Sequence, residues 1–133
     1  TKDGYIKKED VDFSYRETKI NTIVYEVVFN IEFGFSKEKL KEFNKMRDNQ
    51  PRVPSAGSCF KNPKGDFAGR LIEAIGFKGI KQGDMSFSEQ HANFLVNYGD
   101  GTFEDAIYLI AEAKKKIKEE FSIDIEEEII IYK

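Results

Sequence analysis

Apolar and polar side chains alternate along the segment from residue 23 to residue 33. Every odd position there is apolar, whereas the even positions include Glu26, Asn30 and Glu32. A repeat of two places successive side chains on opposite faces of an extended chain. The pattern therefore predicts a β-strand with one buried face, and such a strand requires a sheet. The apolar positions are Ile23, Tyr25, Val27, Phe29, Ile31 and Phe33.

Three other segments carry apolar residues at helical spacing behind a capping residue. Ser36, Asp66 and Thr102 each precede such a segment, and Asp105 follows Thr102 at the spacing of a capping box. Gly76 is the predicted C-terminal stop of the middle helix. The apolar faces are Leu40, Phe43 and Met46 in the first helix, Phe67, Leu71, Ile72 and Ile75 in the second, and Phe103, Ala106, Ile107, Ile110, Ala113, Ile117 and Phe121 in the third.

The remaining segments predict short strands and loops. Residues 92–97 predict a buried strand, and residues 125–132 predict a last strand. The proline-rich run 54–63 predicts a loop, and residues 77–83, rich in glycine and lysine, predict an exposed connection. Strands and helices are interspersed without regular βαβ repeats. The sequence therefore predicts an α+β fold with a mostly antiparallel sheet packed against two to three helices.

Composition limits the possible classes of protein. The chain has 133 residues, of which 40% are hydrophobic, and this suffices for one core. Its net charge of -3 argues against nucleic acid or an anionic membrane as a partner. A single cysteine, Cys59, excludes an internal disulfide and a cysteine-based zinc site. Because no apolar run reaches the roughly 18 residues of a membrane span, we expect a cytoplasmic protein.

The run PSAGSCFKNP, residues 54–63, carries the clearest chemistry. Ser58 follows Gly57, and Lys61 and Asn62 come close behind, so a hydroxyl, a cation and an amide lie on one side of a turn. Glycine allows the backbone to approach a ligand closely. A serine in this setting could give a proton to a developing carbanion, provided that nearby donors stabilise the alkoxide it leaves. The alternative is an ordinary Ser/Pro/Gly loop.

Two further candidates lie outside this run. Arg16, beside Tyr15, precedes the alternating segment. A guanidinium suits bidentate capture of a carboxylate or phosphate, although an arginine beside a strand is often only a surface ion pair. His91 is the single histidine of the chain. One histidine cannot form a metal cage or a triad, so we predict a hydrogen-bonded structural residue and no metal site.

Three consecutive glutamates, Glu126, Glu127 and Glu128, occupy the predicted last strand. Because neighbouring side chains alternate along a strand, the three cannot all face solvent. At least one carboxylate should point toward the core or a cleft, where burial would raise its pKa. The alternative is a frayed, acidic end of the strand.

Four motifs in this order resemble a known family. PSAGSCFKNP, AGRLIEAIGFKG, SFSEQHANFLVN and FSIDIEEEIIIY are similar to the carboxy-terminal part of the UDP-N-acetylenolpyruvoylglucosamine reductases. The similarity begins near FSYRET and so covers nearly the whole chain. The absence of an inserted loop between Arg16 and Ser58 resembles the shorter, second type of these enzymes.

The resemblance implies a flavoenzyme of peptidoglycan precursor synthesis. In that family NADPH reduces a bound FAD, and the hydride then passes to the enolpyruvyl group of a UDP-sugar, giving UDP-N-acetylmuramate. The resemblance implies that Ser58 is the proton donor, and that Arg16 and Glu128 orient the substrate carboxylate and stabilise the enolate. The substrate contacts that it implies fall on Asn62, Lys61, His91 and Tyr15.

The resemblance also implies a division of the chain. Residues 1–50 would be the end of an FAD-binding domain with a connecting helix, and residues 51–133 the substrate-binding domain. In that family the glycine-rich flavin-binding segments lie in an amino-terminal domain, so the resemblance implies that the flavin site lies mostly outside this chain. No dinucleotide motif replaces those segments here. The opening Thr1 and the turn dipeptide Asp3-Gly4 favour a fragment, inactive by itself. The alternative function is a non-catalytic nucleotide-sugar binding module.

Overall fold

The computed structural model of the chain describes residues 4–20 and 23–132. Asp3, in the predicted turn at Asp3-Gly4, lies outside this range, and no strand begins at Tyr5. The elements are a 3-10 turn (Lys8–Asp10), β1 (Phe13–Ser14), β2 (Glu17–Thr18), α1 (Lys37–Met46), β3 (Ser55–Ser58), α2 (Ala68–Ala74), β4 (Lys81–Gln82), β5 (Met85–Phe87), β6 (Phe94–Asn97) and α3 (Phe103–Phe121).

Four of the strands form one antiparallel sheet, in the spatial order β3, β6, β5 and β4. Val96 of β6 faces Ser55 of β3 on one side and Ser86 of β5 on the other. β3 is an edge strand. An edge position tolerates Pro54 just before the strand, because a proline has no N–H to donate and a central strand would need one. β1 and β2 form a separate hairpin. The predicted α+β class with a mostly antiparallel sheet is confirmed.

The longest helix, α3, packs over β4, β5 and α2, and the core lies between these elements. Its start is the predicted capping box: the Thr102 hydroxyl accepts the Asp105 N–H at 3.2 Å, and the Asp105 carboxylate accepts the Thr102 N–H at 3.1 Å. Helical spacing then directs one stripe of the helix into the core. The buried residues of that stripe are Leu109, Ile110, Ala113 and Ile117.

The N-cap of α2 is Phe67 and not the predicted Asp66, and the side chains of two preceding residues accept N–H groups at the start of the helix. Asn62 Oδ1 accepts the Ala68 N–H at 3.0 Å, and Asp66 Oδ1 accepts the Phe67 N–H at 2.7 Å. Gly76, with φ 72, follows the helix and confirms the predicted stop. The prediction that Phe67 lies on the buried face is wrong, because this residue precedes the first helical turn and its ring is exposed.

The prediction of a half-buried strand over 23–33 is wrong. In the described part of the chain, no backbone hydrogen bond joins residues 23–35 to another segment, and the apolar odd positions are exposed. A strand requires a neighbour that donates and accepts along its edge, and none does so here. α1 forms behind Ser36, whose hydroxyl accepts the Lys39 N–H at 3.1 Å, but its apolar face is exposed as well.

The proline-rich run and the glycine-rich connection both contain strands that the sequence did not indicate. β3 lies inside 54–63, and β4 lies inside 77–83. Phe77 is buried in the core, so this connection is only partly exposed. β5 was not predicted because its Met-Ser-Phe pattern is short and all three residues are buried. A short strand whose residues are all buried shows no alternation of apolar and polar side chains.

The prediction of a last strand over 125–132 is also wrong. Only Glu127 forms an isolated antiparallel bridge, with Phe60, and the chain bends at 128 and 129. Because pairing ends after this bridge, no ladder develops. Among the described residues, no helix combines the length and the apolar character needed to cross a membrane.

Candidate active site

A cleft of about 380 Å³ opens beside the edge strand β3. It is lined by the β1–β2 turn, the end of β3, the start of α2, the residues before β6 and the bend near the end of the chain. These segments are far apart in the sequence, so the fold alone brings them together. The cleft lining includes all of the predicted site residues except Lys61, namely Tyr15, Arg16, Ser58, Asn62, His91 and Glu128.

Arg16 and Glu128 form an ion pair in this cleft. Arg16 Nη1 lies 2.9 Å from Glu128 Oε1, and the Glu128 side chain is 21% exposed. Arg16 has φ 61, in the left-handed region that a non-glycine residue rarely adopts, within the tight turn between β1 and β2. Such strain is common at functional sites. The turn directs the guanidinium into the cleft and leaves Tyr15 beside it, with the guanidinium carbon 5.7 Å from the ring centroid.

Backbone hydrogen bonds place Ser58 beside Glu128. The Glu128 N–H donates to the Cys59 carbonyl at 2.8 Å, and the Lys61 N–H donates to the Glu126 carbonyl at 2.9 Å. Two segments that are distant in the sequence thus run side by side. The Ser58 hydroxyl makes no hydrogen bond with any of the residues that the structure describes. It is therefore free to interact with a ligand in the cleft.

Cys59 points away from the cleft into the core. Burial, with a smaller contribution from Glu127, raises the pKa of the Cys59 thiol to about 12. A thiol with this pKa stays protonated at neutral pH and is a poor nucleophile. Neighbouring side chains of an extended segment point to opposite sides. Ser58 therefore faces the cleft, whereas the unreactive Cys59 lies in the core.

Asn62 and Lys61 differ in what they can offer a ligand. Asn62 lines the cleft, and its Oδ1 already accepts the Ala68 N–H. Its Nδ2 group remains to donate to a ligand. Lys61 does not line the cleft, and its ammonium lies 3.3 Å from Glu126 Oε2. The predicted substrate contact of Lys61 stays a prediction that this geometry does not support.

His91 is held by neighbouring residues and also lines the cleft. Its Nδ1 accepts the Asn93 N–H at 3.3 Å, and its ring stands edge-on to Phe94 at 4.9 Å. A neutral ring with this contact carries its proton on Nε2, which can donate to a ligand. The predicted hydrogen-bonded histidine is present. Its hydrogen bond to Asn93 and its contact with Phe94 orient the ring toward the cleft.

The three glutamates pair with three different cations. Glu126 pairs with Lys61, Glu127 with Lys114 at 2.7 Å, and Glu128 with Arg16. Partial burial would raise the pKa of Glu127, but its hydrogen bond to Lys114, aided by a backbone hydrogen bond and by the lysine charge, outweighs this effect. The pKa of Glu127 is lowered. The prediction of a raised carboxylate pKa in this segment is therefore wrong for Glu127.

Sequence reasoning missed several polar residues of the cleft, among them Arg70 and Asn93. Arg70 Nε donates to Asp66 Oδ1 at 2.6 Å, and this hydrogen bond holds the pKa of Asp66 at about 2. The i,i+4 spacing of Asp66 and Arg70 was the available signal. Asn93 lies within the motif SFSEQHANFLVN, but its role gave no signal of its own, because its partners are backbone groups of a distant segment. Among the described residues, no cluster of three or more His, Cys, Asp or Glu side chains could hold a metal ion.

Comparisons with known proteins agree on one family. Residues 49–132 match the family model described as UDP-N-acetylenolpyruvoylglucosamine reductase, C-terminal domain. The reductase of that name from Campylobacter jejuni (strain RM1221) is 48% identical over 131 residues, which are 98% of this chain and 51% of that protein. The reductase from Aquifex aeolicus (strain VF5) is 47% identical over 131 residues, covering 92% of this chain and 43% of that protein.

A solved structure agrees with these sequence matches. The crystal structure of UDP-N-acetylenolpyruvylglucosamine reductase from Thermus caldophilus superposes with a TM-score of 0.61 at 36% identity, over 72% of this chain and 34% of that chain. The present chain spans about half the length of the curated relatives it matches. The chain belongs to the UDP-N-acetylenolpyruvoylglucosamine reductase family and contains the C-terminal domain of that family.

Proposed function

We propose that this chain forms the substrate-binding side of a flavoenzyme that uses NADPH, through FAD, to reduce the enolpyruvyl group of UDP-N-acetylglucosamine enolpyruvate to UDP-N-acetylmuramate. One observation carries the proposal: the Arg16–Glu128 ion pair and the Ser58 hydroxyl share one cleft, although Ser58 and Glu128 are far apart in the sequence. A proton donor beside a cation is what reduction of such a double bond requires.

The cofactor belongs mainly to another part of the protein. The described residues include no glycine-rich dinucleotide loop. We therefore place the FAD in the portion of the relatives that this chain does not span, with residues 1–50 as the end of that domain and residues 51–133 as the substrate-binding domain. When bound there, FAD reduced by NADPH supplies the hydride.

Ser58 is the proposed proton donor. Reduction at one carbon of the double bond leaves negative charge on the neighbouring carbon and its carboxylate, and the Ser58 hydroxyl gives its proton to that carbon. Its position at the end of β3, after Gly57 with φ 88, presents the hydroxyl to the cleft. The alkoxide that remains requires nearby positive charge, because an isolated alkoxide is a poor product at neutral pH.

Arg16 is the proposed source of that positive charge. Its guanidinium keeps N–H groups free beyond the one that meets Glu128, and these can bind the substrate carboxylate and the developing enolate. Glu128 holds the guanidinium in one orientation. The long arginine side chain therefore loses less conformational freedom when the substrate binds. Asn62, His91 and Tyr15 complete the proposed substrate contacts from the cleft wall.

The test is Ser58→Ala in the full-length flavoprotein, with the two half-reactions followed separately by stopped flow. NADPH should still bleach the flavin at the parent rate. Reoxidation of the flavin by the enolpyruvyl substrate should slow by roughly 10²- to 10⁴-fold, the usual worth of a positioned acid. Ser55→Ala is the matched control in the same strand, since its hydroxyl bonds to the Leu95 carbonyl outside the cleft. Unimpaired reoxidation by Ser58→Ala would refute the role of Ser58 and favour the binding module.

A further inference from the structure

Asn93 lies where the pairing between β3 and β6 ends. The register shifts between Ser55 and Ser58, and β3 ends at Ser58. The next residues, Cys59 and Phe60, are buried and still have backbone groups that require partners. A buried backbone group without a partner destabilises the fold, so another group must replace the missing ladder.

The side chain of Asn93 replaces that ladder. Its Oδ1 accepts the Phe60 N–H at 3.0 Å, and its Nδ2 donates to the Phe60 carbonyl at 2.8 Å. Its own backbone carbonyl accepts the Cys59 N–H at 2.7 Å. Asn93 is 4% exposed. One amide group therefore satisfies both backbone groups of Phe60, as a neighbouring strand would.

The opposite edge of the same segment holds Glu128. The Cys59 carbonyl accepts the Glu128 N–H at 2.8 Å. Residues 59–60 are thus bonded to Asn93 on one side and to the glutamate segment on the other. The Asn93 N–H also donates to His91 Nδ1. A shift of this segment would displace Ser58 directly and would strain its link to Glu128 and, through the ion pair, to Arg16.

We propose that Asn93 is a positioning residue, which fixes the distance between the Ser58 hydroxyl and the Arg16–Glu128 pair. The inference rests on the proposed function, because it assumes that Ser58 is the proton donor. Both polar groups of the Asn93 amide are engaged by Phe60, so Asn93 acts through the backbone and not on the substrate. A misplacement of about 1 Å at a reacting group can cost roughly 10²-fold in rate.

The experiment uses Asn93→Ala in the full-length flavoprotein with bound FAD. Flavin reduction by NADPH should stay near the parent rate, and reoxidation by the enolpyruvyl substrate should slow by about 10- to 100-fold. In the double variant with Ser58→Ala, reoxidation should be no slower than with Ser58→Ala alone, because groups that act as a unit are not additive. If the role of Asn93 were purely structural, Asn93→Ala would slow both half-reactions, or its effect on the reoxidation rate would multiply with that of Ser58→Ala.

Asn97→Ala is the matched control. Asn97 ends β6, the strand that begins directly after Asn93. Its side chain makes three hydrogen bonds with backbone groups, whereas that of Asn93 makes two, and its partners are Gly99 and Gly101 in the turn before α3. It should lower the melting temperature as Asn93→Ala does, without slowing reoxidation selectively. An equal slowing of reoxidation in both variants would overturn the proposal.

Further outcomes separate the two proposals. If Asn93→Ala does not fold, Asn93→Asp is measured instead: it keeps the acceptor for the Phe60 N–H and replaces the donor to the Phe60 carbonyl by a second acceptor, and the same selective slowing is expected. Loss of folding in both variants would overturn a selective role. If Ser58→Ala reoxidises normally, the proposed function fails. If Ser58→Ala is slow but Asn93→Ala is not, only the role of Asn93 fails.

Discussion

The two parts of the chain use similar apolar patterns with opposite results. Among the described residues of 4–50 most large apolar side chains face solvent, and Phe29 is 76% exposed. In residues 51–132 most apolar side chains belong to or pack against one core, and Phe87 is fully buried. Periodicity shows which face of an element is apolar, but burial also requires a covering surface. Among the described residues, such a surface exists only for the second part.

The helices make the same contrast. α1 and α3 both begin at a side-chain cap, at Ser36 and Thr102, and both carry an apolar stripe. α3 buries its stripe against the sheet and α2, whereas no residue of α1 is buried. Because a helix in a protein gains most of its stability from packing of its apolar face, α3 should be much the more stable of the two.

The two parts should differ most in how they respond to the truncation of a phenylalanine. Phe87→Ala removes a buried ring that stacks near Phe60 and Phe77, and it should lower the free energy of unfolding by about 3–5 kcal/mol. Phe29→Ala, its matched control, removes an exposed ring and should change this free energy by less than about 0.5 kcal/mol. Urea denaturation of this chain measures both. Equal losses would show that residues 23–35 are packed against the core.

A smaller effect is expected from removing the two helix caps. Thr102→Ala deletes half of the capping box of α3 and should cost about 1 kcal/mol of global stability. Ser36→Ala deletes the hydrogen bond to the Lys39 N–H, but α1 is not packed, so global stability should barely change. Amide hydrogen exchange within α1 should rise instead. A cost for Ser36→Ala as large as that for Thr102→Ala would contradict the separation of α1 from the core.

Local signals predicted the helices well. The capping box at Thr102, the cap at Ser36 and the stop at Gly76 all lie in short windows of sequence, and each is present. The strands were harder, because β4 and β5 are two and three residues long. A strand depends on a partner that can lie anywhere in the chain, and a run that short shows no period.

The candidate site was predictable only through motifs. Residue chemistry alone left Ser58, Arg16 and Glu128 as three separate possibilities, and the order of four motifs joined them in one hypothesis. The structure then brings these three residues to one cleft. Asn93 could not be found this way, since its role depends on the backbone of residue 60, and backbone groups are the same in every sequence.

The smallest expected effect concerns ion pairs in the two parts. The Glu127–Lys114 pair lies partly buried against the core, whereas the Lys19–Asp12 pair in the first part is exposed. The pKa of Glu127 is lower in the folded chain than its ordinary value. Its contribution to stability is therefore present above the ordinary pKa and is lost as pH falls through the lowered, folded pKa.

Lys114→Met tests this pair because it removes the hydrogen bond and the charge that lower the pKa of Glu127. The pKa of Glu127, followed by carbon NMR of its carboxyl group, should rise, since partial burial is then opposed only by the backbone hydrogen bond. Above the ordinary pKa the variant should lose roughly 0.2–1 kcal/mol of stability, and this difference should shrink on acidification. Lys19→Met should show no measurable loss at any pH, because an exposed pair contributes little. If the two lysine variants lose the same stability, then burial against the core adds nothing to an ion pair here, and the difference between the two parts of the chain is confined to apolar packing.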